Sequence, residues 1–278
     1  MSGRLSPADA VRLAREALEG GEPMAAATVL DAEGDGAPSP GERLCAWADR
    51  HAGTLGSAQL DEAAVRIARA ALAEDGPAGA RQVEAGGVRC TLFVEAYRPP
   101  PELVIVGAGH IARPLCTLGA LLGFRVTVLD DRPEFATRER FPEAAEVRRA
   151  DFADPFRGVG IGPRTHLVLV TRGHKYDFDA LRGVLRRDAV PAYVGMVGSR
   201  RRTRAALQAL ADEGIDPARL RAIHAPVGLD VRAETPGEIA VAIAAELVLV
   251  RRGGTGQPLR DRERVAERWV TREPGTQD

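Results

Sequence analysis

The sequence predicts an α/β protein, a Rossmann-like doubly wound parallel sheet preceded by a smaller N-terminal α+β domain. From residue 103 onward, short and wholly apolar β runs alternate with helical stretches. A tight Gly107-Ala108-Gly109 turn separates the first of those runs from the first of those helices, and consecutive prolines at 99–101 set the region apart from a shorter one before it. The expected domains are 1–97, a stiff linker at 98–102, the sheet domain at 103–253 and a polar tail at 254–278.

In the first domain, Ser6-Pro7-Ala8-Asp9 supplies a hydroxyl cap, a proline at the first helical position and an acid in the first turn. A helix is expected over 7–19, stopped by Gly20-Gly21, with β runs at 24–30, 43–48 and 90–97 and an alanine-rich helix over 60–72. In the second domain, strands are expected at 103–106, 125–129, 166–170 and 192–194. Helices are expected at 111–122, 181–187, 201–212 and 236–250, the last capped by Thr235. Apolar strands without alternation are what a parallel sheet covered on both faces requires.

Of the 278 residues, 45% are apolar and 28% charged, enough for a real core in each domain. The 38 Lys plus Arg against 39 Asp plus Glu leave a net charge of −1, and no positive field to hold a nucleic acid. No run approaches the about 20 consecutive apolar residues that span a bilayer, and residues 1–9 lack the basic-then-apolar order of a signal peptide, so a cytoplasmic protein is expected. Cys45, Cys90 and Cys116 are isolated thiols without metal-ligand spacing, so they are expected to be small core residues, with neither zinc nor any other metal ligated by the chain. Lys175 is the single lysine.

The segment from Val104 to Ala112 reads strand, turn and helix start in the pattern G-x-G-x-x-A. Gly107 permits the turn, Gly109 leaves the backbone bare where a diphosphate approaches, and small Ala112 lets the helix pack on the strand. The amides of His110 and Ile111 then face the phosphates. A second strand ends at Asp130-Asp131-Arg132, where a carboxylate is placed to accept from a ribose diol. Asp130 favours NAD and Arg132 the 2′-phosphate of NADP, which leaves the choice open. The His110 side chain is equally a ligand contact or a helix cap.

Ligands in such sheets sit beyond the carboxyl ends of strands, which singles out three more clusters. These begin at Thr171-Arg172-Gly173-His174-Lys175, at Gly195-Met196-Val197-Gly198-Ser199-Arg200 and at His224-Ala225-Pro226. Arg172 and Lys175 suit an anion, and His174 or Lys175 could move a proton near neutral pH. The arginines at 200–202 are either a solvated helix start or an anion site, since cations at a helix N-terminus oppose its dipole. The loop after His224 is either a rigid turn or part of the site.

Taken together, Gly107-Ala108-Gly109-His110, the stretch FRVTVLDDRPEFATRERF at 124–141, Thr171-Arg172-Gly173-His174, Val194 to Arg200 and His224 to Asp230 resemble the XdhC/CoxI accessory proteins of molybdenum hydroxylases. The resemblance implies a protein that binds molybdenum cofactor, protects it while its terminal sulfido ligand is installed, and delivers it to a xanthine dehydrogenase-type apoenzyme. A cysteine desulfurase is the further partner implied, and a homodimer is expected. The family's first domain carries Gly-Gly-Cys and Cys-Gly-Gly turns; here those positions read Ser57-Ala58-Gln59 and Ala85-Gly86-Gly87, so both cysteines are missing.

The expected cofactor contacts, whether to molybdopterin or to NAD(P), are thus Gly107, Gly109, His110, Ile111, Asp130, Asp131, Arg132, Thr171, Arg172, Gly195, Met196, Gly198, Ser199, Arg200 and His224. His174 and Lys175 are the candidates for proton transfer. The alternative to the accessory role is an NAD(P)-dependent oxidoreductase that kept the fold and acts on a small anionic substrate.

Overall fold

The structure, a computed structural model, describes residues 3–73 and 78–263, and His174 by its backbone alone. The chain divides into two compact units between Pro100 and Pro101. In the first, α1 (Pro7–Leu18) starts where Ser6 Oγ accepts from the Asp9 amide at 3.1 Å. Then follow β1 (Met24–Glu33), β2 (Arg43–Ala46), β3 (His51–Ala52), α2 (Ala58–Ala73), β4 (Gly79–Ala85) and β5 (Val88–Tyr97). The strands form one antiparallel sheet in the order β3-β2-β1-β5-β4. Leu60, Ala64 and Ala68, spaced by one helical turn, bring α2 down on Ala25, Leu44 and Leu92. β3 and β4 have no counterpart among the expected strands: one is two residues long, and the other is exposed at most positions.

The second unit runs β6 (Glu102–Val106), α3 (Ala112–Leu121), β7 (Arg125–Asp130), β8 (Glu146–Arg149), β9 (Thr165–Leu169), α4 (His174–Leu185), β10 (Tyr193–Met196) and α5 (Arg200–Asp212). It ends with α6 (Pro217–Arg221), β11 (Ile223–His224), α7 (Pro236–Arg252) and α8 (Leu259–Glu263). All six strands are parallel, in the order β11-β10-β9-β6-β7-β8. The order reverses between β6 and β9, the topological switch point beside which such sheets bind ligands.

The strand period explains the apolar runs. Leu103 and Ile105 of β6 face the core built with α3 and α7, while Val104 and Val106 face the core built with α4 and α5. Each such side chain, removed wholly from water, contributes about 1.5–3 kcal/mol. α7 is fixed at its start by reciprocal bonds between Thr235 and Glu238 and ends at Gly253, which is left-handed at φ 67°. Part of the expected polar tail is helical in α8, and residues 264–278 lie outside the described part. Among the described residues no helix is long and apolar enough to cross a membrane.

Candidate ligand site at the carboxyl edge of the sheet

β6 hands the chain to the glycine turn. Gly107 has φ 102°, and a Cβ there would stand 2.6 Å from the Val170 carbonyl oxygen. Only glycine therefore lets this backbone cross the end of β9. At Gly109 an added Cβ would meet nothing within 4 Å, so the turn is open on that side. Ala112 is fully buried, and no side chain caps α3, whose cap residue is Ile111. The turn thus offers bare amides at the start of an uncapped helix. His110 is exposed beside it, and the Ile111 side chain packs into the α3–α7 core.

Asp130 takes partners different from the sugar hydroxyls expected of it. Its Oδ2 accepts from the Ala108 amide at 2.7 Å and from Arg132 Nη2 at 3.0 Å. Its Oδ1 accepts from the Arg132 amide at 3.0 Å and from Arg132 Nε at 2.9 Å. The residue is 1% exposed, and these four bonds use the about four lone-pair positions a carboxylate has. Burial alone would raise its pKa, but the Arg132 guanidinium and the two amides outweigh it and hold the carboxyl down at about 2. A ribose diol could reach Asp130 only by displacing Arg132.

The next carboxylate is claimed as well. Arg172 donates to both oxygens of Asp131, at 2.6 and 2.7 Å, and to the Tyr176 hydroxyl at 2.6 Å. These bonds raise the Arg172 pKa further. Arg132 lies 3.6 Å above the Phe135 ring, and Arg140 reaches the Ala108 carbonyl at 3.2 Å. Arg132, Arg140 and Arg172 therefore surround the glycine turn and β7, against two acids.

The other strand ends divide. Thr171 Oγ1 donates to Asp177 at 2.6 Å and so pins the turn that opens α4. Gly195 is a packing glycine, since a Cβ there would meet Val227 at 2.5 Å and the Tyr193 ring at 2.8 Å. The Met196 side chain, expected near a ligand, is buried in the core against α4 and α5. Gly198 is half-buried, Ser199 caps α5 by accepting from the Arg202 amide at 3.4 Å, and Arg200 is exposed. Lys175 is exposed on α4; the His174 side chain lies outside the described part.

His224 belongs to a cluster that sequence reasoning missed. Glu246 of α7 accepts from the Tyr193 hydroxyl at 2.6 Å and from the Gly228 amide at 2.7 Å, and its other oxygen lies 3.1 Å from His224 Nδ1. The rings of Tyr193 and His224 are 4.5 Å apart. Burial, then the bond to Glu246, drives the Tyr193 pKa upward, so the hydroxyl stays a proton donor in this network. It ties β10, β11 and α7 together.

In the first unit the start of α2 meets the turn between β4 and β5: a Cβ on Gly86 would lie 2.5 Å from Gln59 Oε1. Cys45, Cys90 and Cys116 are all buried. Burial pushes the Cys45 and Cys116 thiols up to about 11 and raises that of Cys90. Among the described residues no group of three or more His, Cys, Asp or Glu could hold a metal ion.

Comparison with known proteins follows the two units. Residues 103–247 match the family model of the XdhC Rossmann domain, and residues 17–84 match that of the XdhC and CoxI family. The Escherichia coli (strain K12) protein YqeB is 29% identical over 247 residues, covering 84% of this chain and 44% of YqeB. A probable xanthine dehydrogenase subunit from Bacillus subtilis (strain 168) is 31% identical over 161 residues, 58% of this chain and 46% of that protein. The chain thus spans less than half the length of these curated relatives. A crystal structure of a xanthine dehydrogenase from Bacillus halodurans superposes with a TM-score of 0.52 at 20% identity, over 90% of this chain and 98% of that one, a likeness of fold.

Proposed function

This chain belongs to the XdhC and CoxI family, and from that premise we propose that it binds molybdenum cofactor and assists its maturation and insertion into a xanthine dehydrogenase-type hydroxylase. The observation that carries this reading is the glycine turn, open at Gly109 and ahead of a helix no side chain caps. The phosphate end of the cofactor fits it: the amides of Gly107 and Ala108 are taken by Leu129 and Asp130, those of Gly109, His110 and Ile111 remain to face it, and Arg132, Arg140 and Arg172 supply positive charge around it. The sugar contact first expected at Asp130 does not fit, because that carboxylate already holds the turn. When bound, the cofactor supplies the redox chemistry that the client enzyme uses. The chain's own residues bind and orient its anionic end.

The thiols of this chain are unsuited to relaying sulfur, since buried thiols with raised pKa present no thiolate at neutral pH. In this account sulfur comes from a separate cysteine desulfurase while the chain holds the cofactor. The test is retention of stoichiometric molybdopterin on the purified protein, together with restored activity of a cofactor-free hydroxylase. Failure of both removes the proposal. The same turn would seat the diphosphate of NAD(P) with Lys175 as proton donor, but the filled Asp130 disfavours this oxidoreductase reading. Calorimetry with NAD(H) and NADP(H) at millimolar concentration decides it: heat of binding would revive it.

A further inference from the structure

We propose that the cleft between α4 and α5 is a second ligand site, built for a flat aromatic monophosphate. The cleft measures about 840 Å³ and is lined by Lys175, Phe178, Arg201, Arg202, Ala206 and Ala209, among others. That volume lies in the range of about 300–1,000 Å³ typical of small-molecule pockets. The site lies at the starts of the helices that follow β9 and β10, the two strands next to β6 on the side away from β7; none of its lining residues belongs to the glycine turn, and it does not depend on the reading given to that turn.

Its charges are unlike those around β7. Among the described residues the side chains of Lys175, Arg201 and Arg202 have neither an ion pair nor a hydrogen bond, whereas Arg132 and Arg172 are both bound to carboxylates. Three exposed cations line this one cleft at the starts of two helices of 12 and 13 residues, where each opposes the positive end of a dipole. No side chain caps α4. An arrangement that is unfavourable when empty becomes favourable around a doubly charged anion, which a phosphate monoester supplies and a single carboxylate does not.

The body of the ligand is set by the rest of the wall. Phe178 contributes a ring from α4, over which Arg182 lies 5.2 Å from the centroid, and Ala206 and Ala209 contribute a shallow apolar shelf from α5. A flat ring is the shape that lies between an aromatic face and such a shelf. An aliphatic phosphate would leave both surfaces wet.

The single lysine makes the test direct. Pyridoxal 5′-phosphate is an aromatic monophosphate with an aldehyde: the Lys175 amine condenses with it to an imine, releasing water, and borohydride delivers hydride to the imine carbon to leave a stable secondary amine. Peptide mapping then distinguishes Lys175 from the chain's N-terminal amine. Labelling of Lys175 should saturate with reagent and exceed that by pyridoxal, which lacks the phosphate, by about tenfold, the worth of one charge-assisted contact. Flavin mononucleotide should protect the lysine better than the same concentration of inorganic phosphate. Arg201→Ala with Arg202→Ala should lower labelling by about tenfold. Ala206→Phe, which fills the shelf and keeps every cation, should remove saturation while the circular dichroism spectrum stays that of the wild type. Labelling that is linear in reagent, equal for the two aldehydes, or unaltered by Ala206→Phe would overturn the proposal.

Discussion

Arginine does opposite work at two places along the same edge of the sheet. At the end of β7, Arg132 and Arg172 are locked onto Asp130 and Asp131 with bonds of 2.6 to 3.0 Å. At the start of α5, the side chains of Arg201 and Arg202 are exposed and have no partner among the described residues. The first set builds the turn; the second is left for something else. A residue type known from sequence therefore does not disclose its role, because the role is decided by which carboxylates the fold brings near.

Breaking the β7 end should have the largest effect. Asp130→Ala removes the acceptor for the Ala108 amide and strands a half-buried guanidinium, so it should cost about 3–5 kcal/mol in denaturant unfolding, the usual penalty for halving a buried pair. A loss below about 1 kcal/mol would mean that Asp130 is not what holds the turn. Next in size, Gly107→Ala should cost at least about 2 kcal/mol, because its φ of 102° and its closeness to the Val170 carbonyl both forbid a side chain. Gly109→Ala, two residues on, should leave unfolding almost unchanged, since its Cβ would project into open space.

Acid should test the β7 end. The folded pKa of Asp130, about 2, lies below its ordinary 3.8, so in that interval the unfolded chain binds a proton that the folded chain does not. Its stability contribution is complete above pH 3.8 and is lost as pH falls toward 2. His166, whose pKa burial lowers from 6.5, adds a loss that begins below that pH, because the unfolded chain again takes the proton first. Urea midpoints measured between pH 7 and pH 3 should fall, and the steepening near pH 3.8 should be absent in Asp130→Ala. The smallest effect belongs to Arg201→Ala with Arg202→Ala: the urea midpoint should hold or rise slightly, as two cations leave a helix N-terminus. A clear fall would show that these side chains are structural after all.

The sheet was legible because its signals are local. Apolar runs, the Gly107 turn and the Ser6 and Thr235 caps each occupy a few adjacent residues, and the structure uses them as strands, turn and helix starts. The site was legible only as far as its backbone. Asp130 was placed at the right strand end, but its partner Arg132 lies two residues away, and nothing in the sequence says whether that guanidinium turns back onto it or out to a ligand. Met196 follows a strand as a ligand contact would, yet the strand period sends its side chain into the core. Glu246 was invisible because it sits inside a helix, 53 residues from Tyr193 and 22 from His224, and only the packing of α7 brings them together. The short strand β3, two residues long, exists by virtue of its neighbours and carries no pattern of its own.

The most direct measurement of the central claim is the pterin fluorescence released by oxidation from wild-type protein and from Gly109→Val, each purified from cells that make molybdenum cofactor. Wild type should release about one equivalent, and the variant, equally stable in urea, almost none, because its side chain covers the amides that hold the anion. Equal release from both proteins, or a wild type that carries a nicotinamide nucleotide and no pterin, would contradict it.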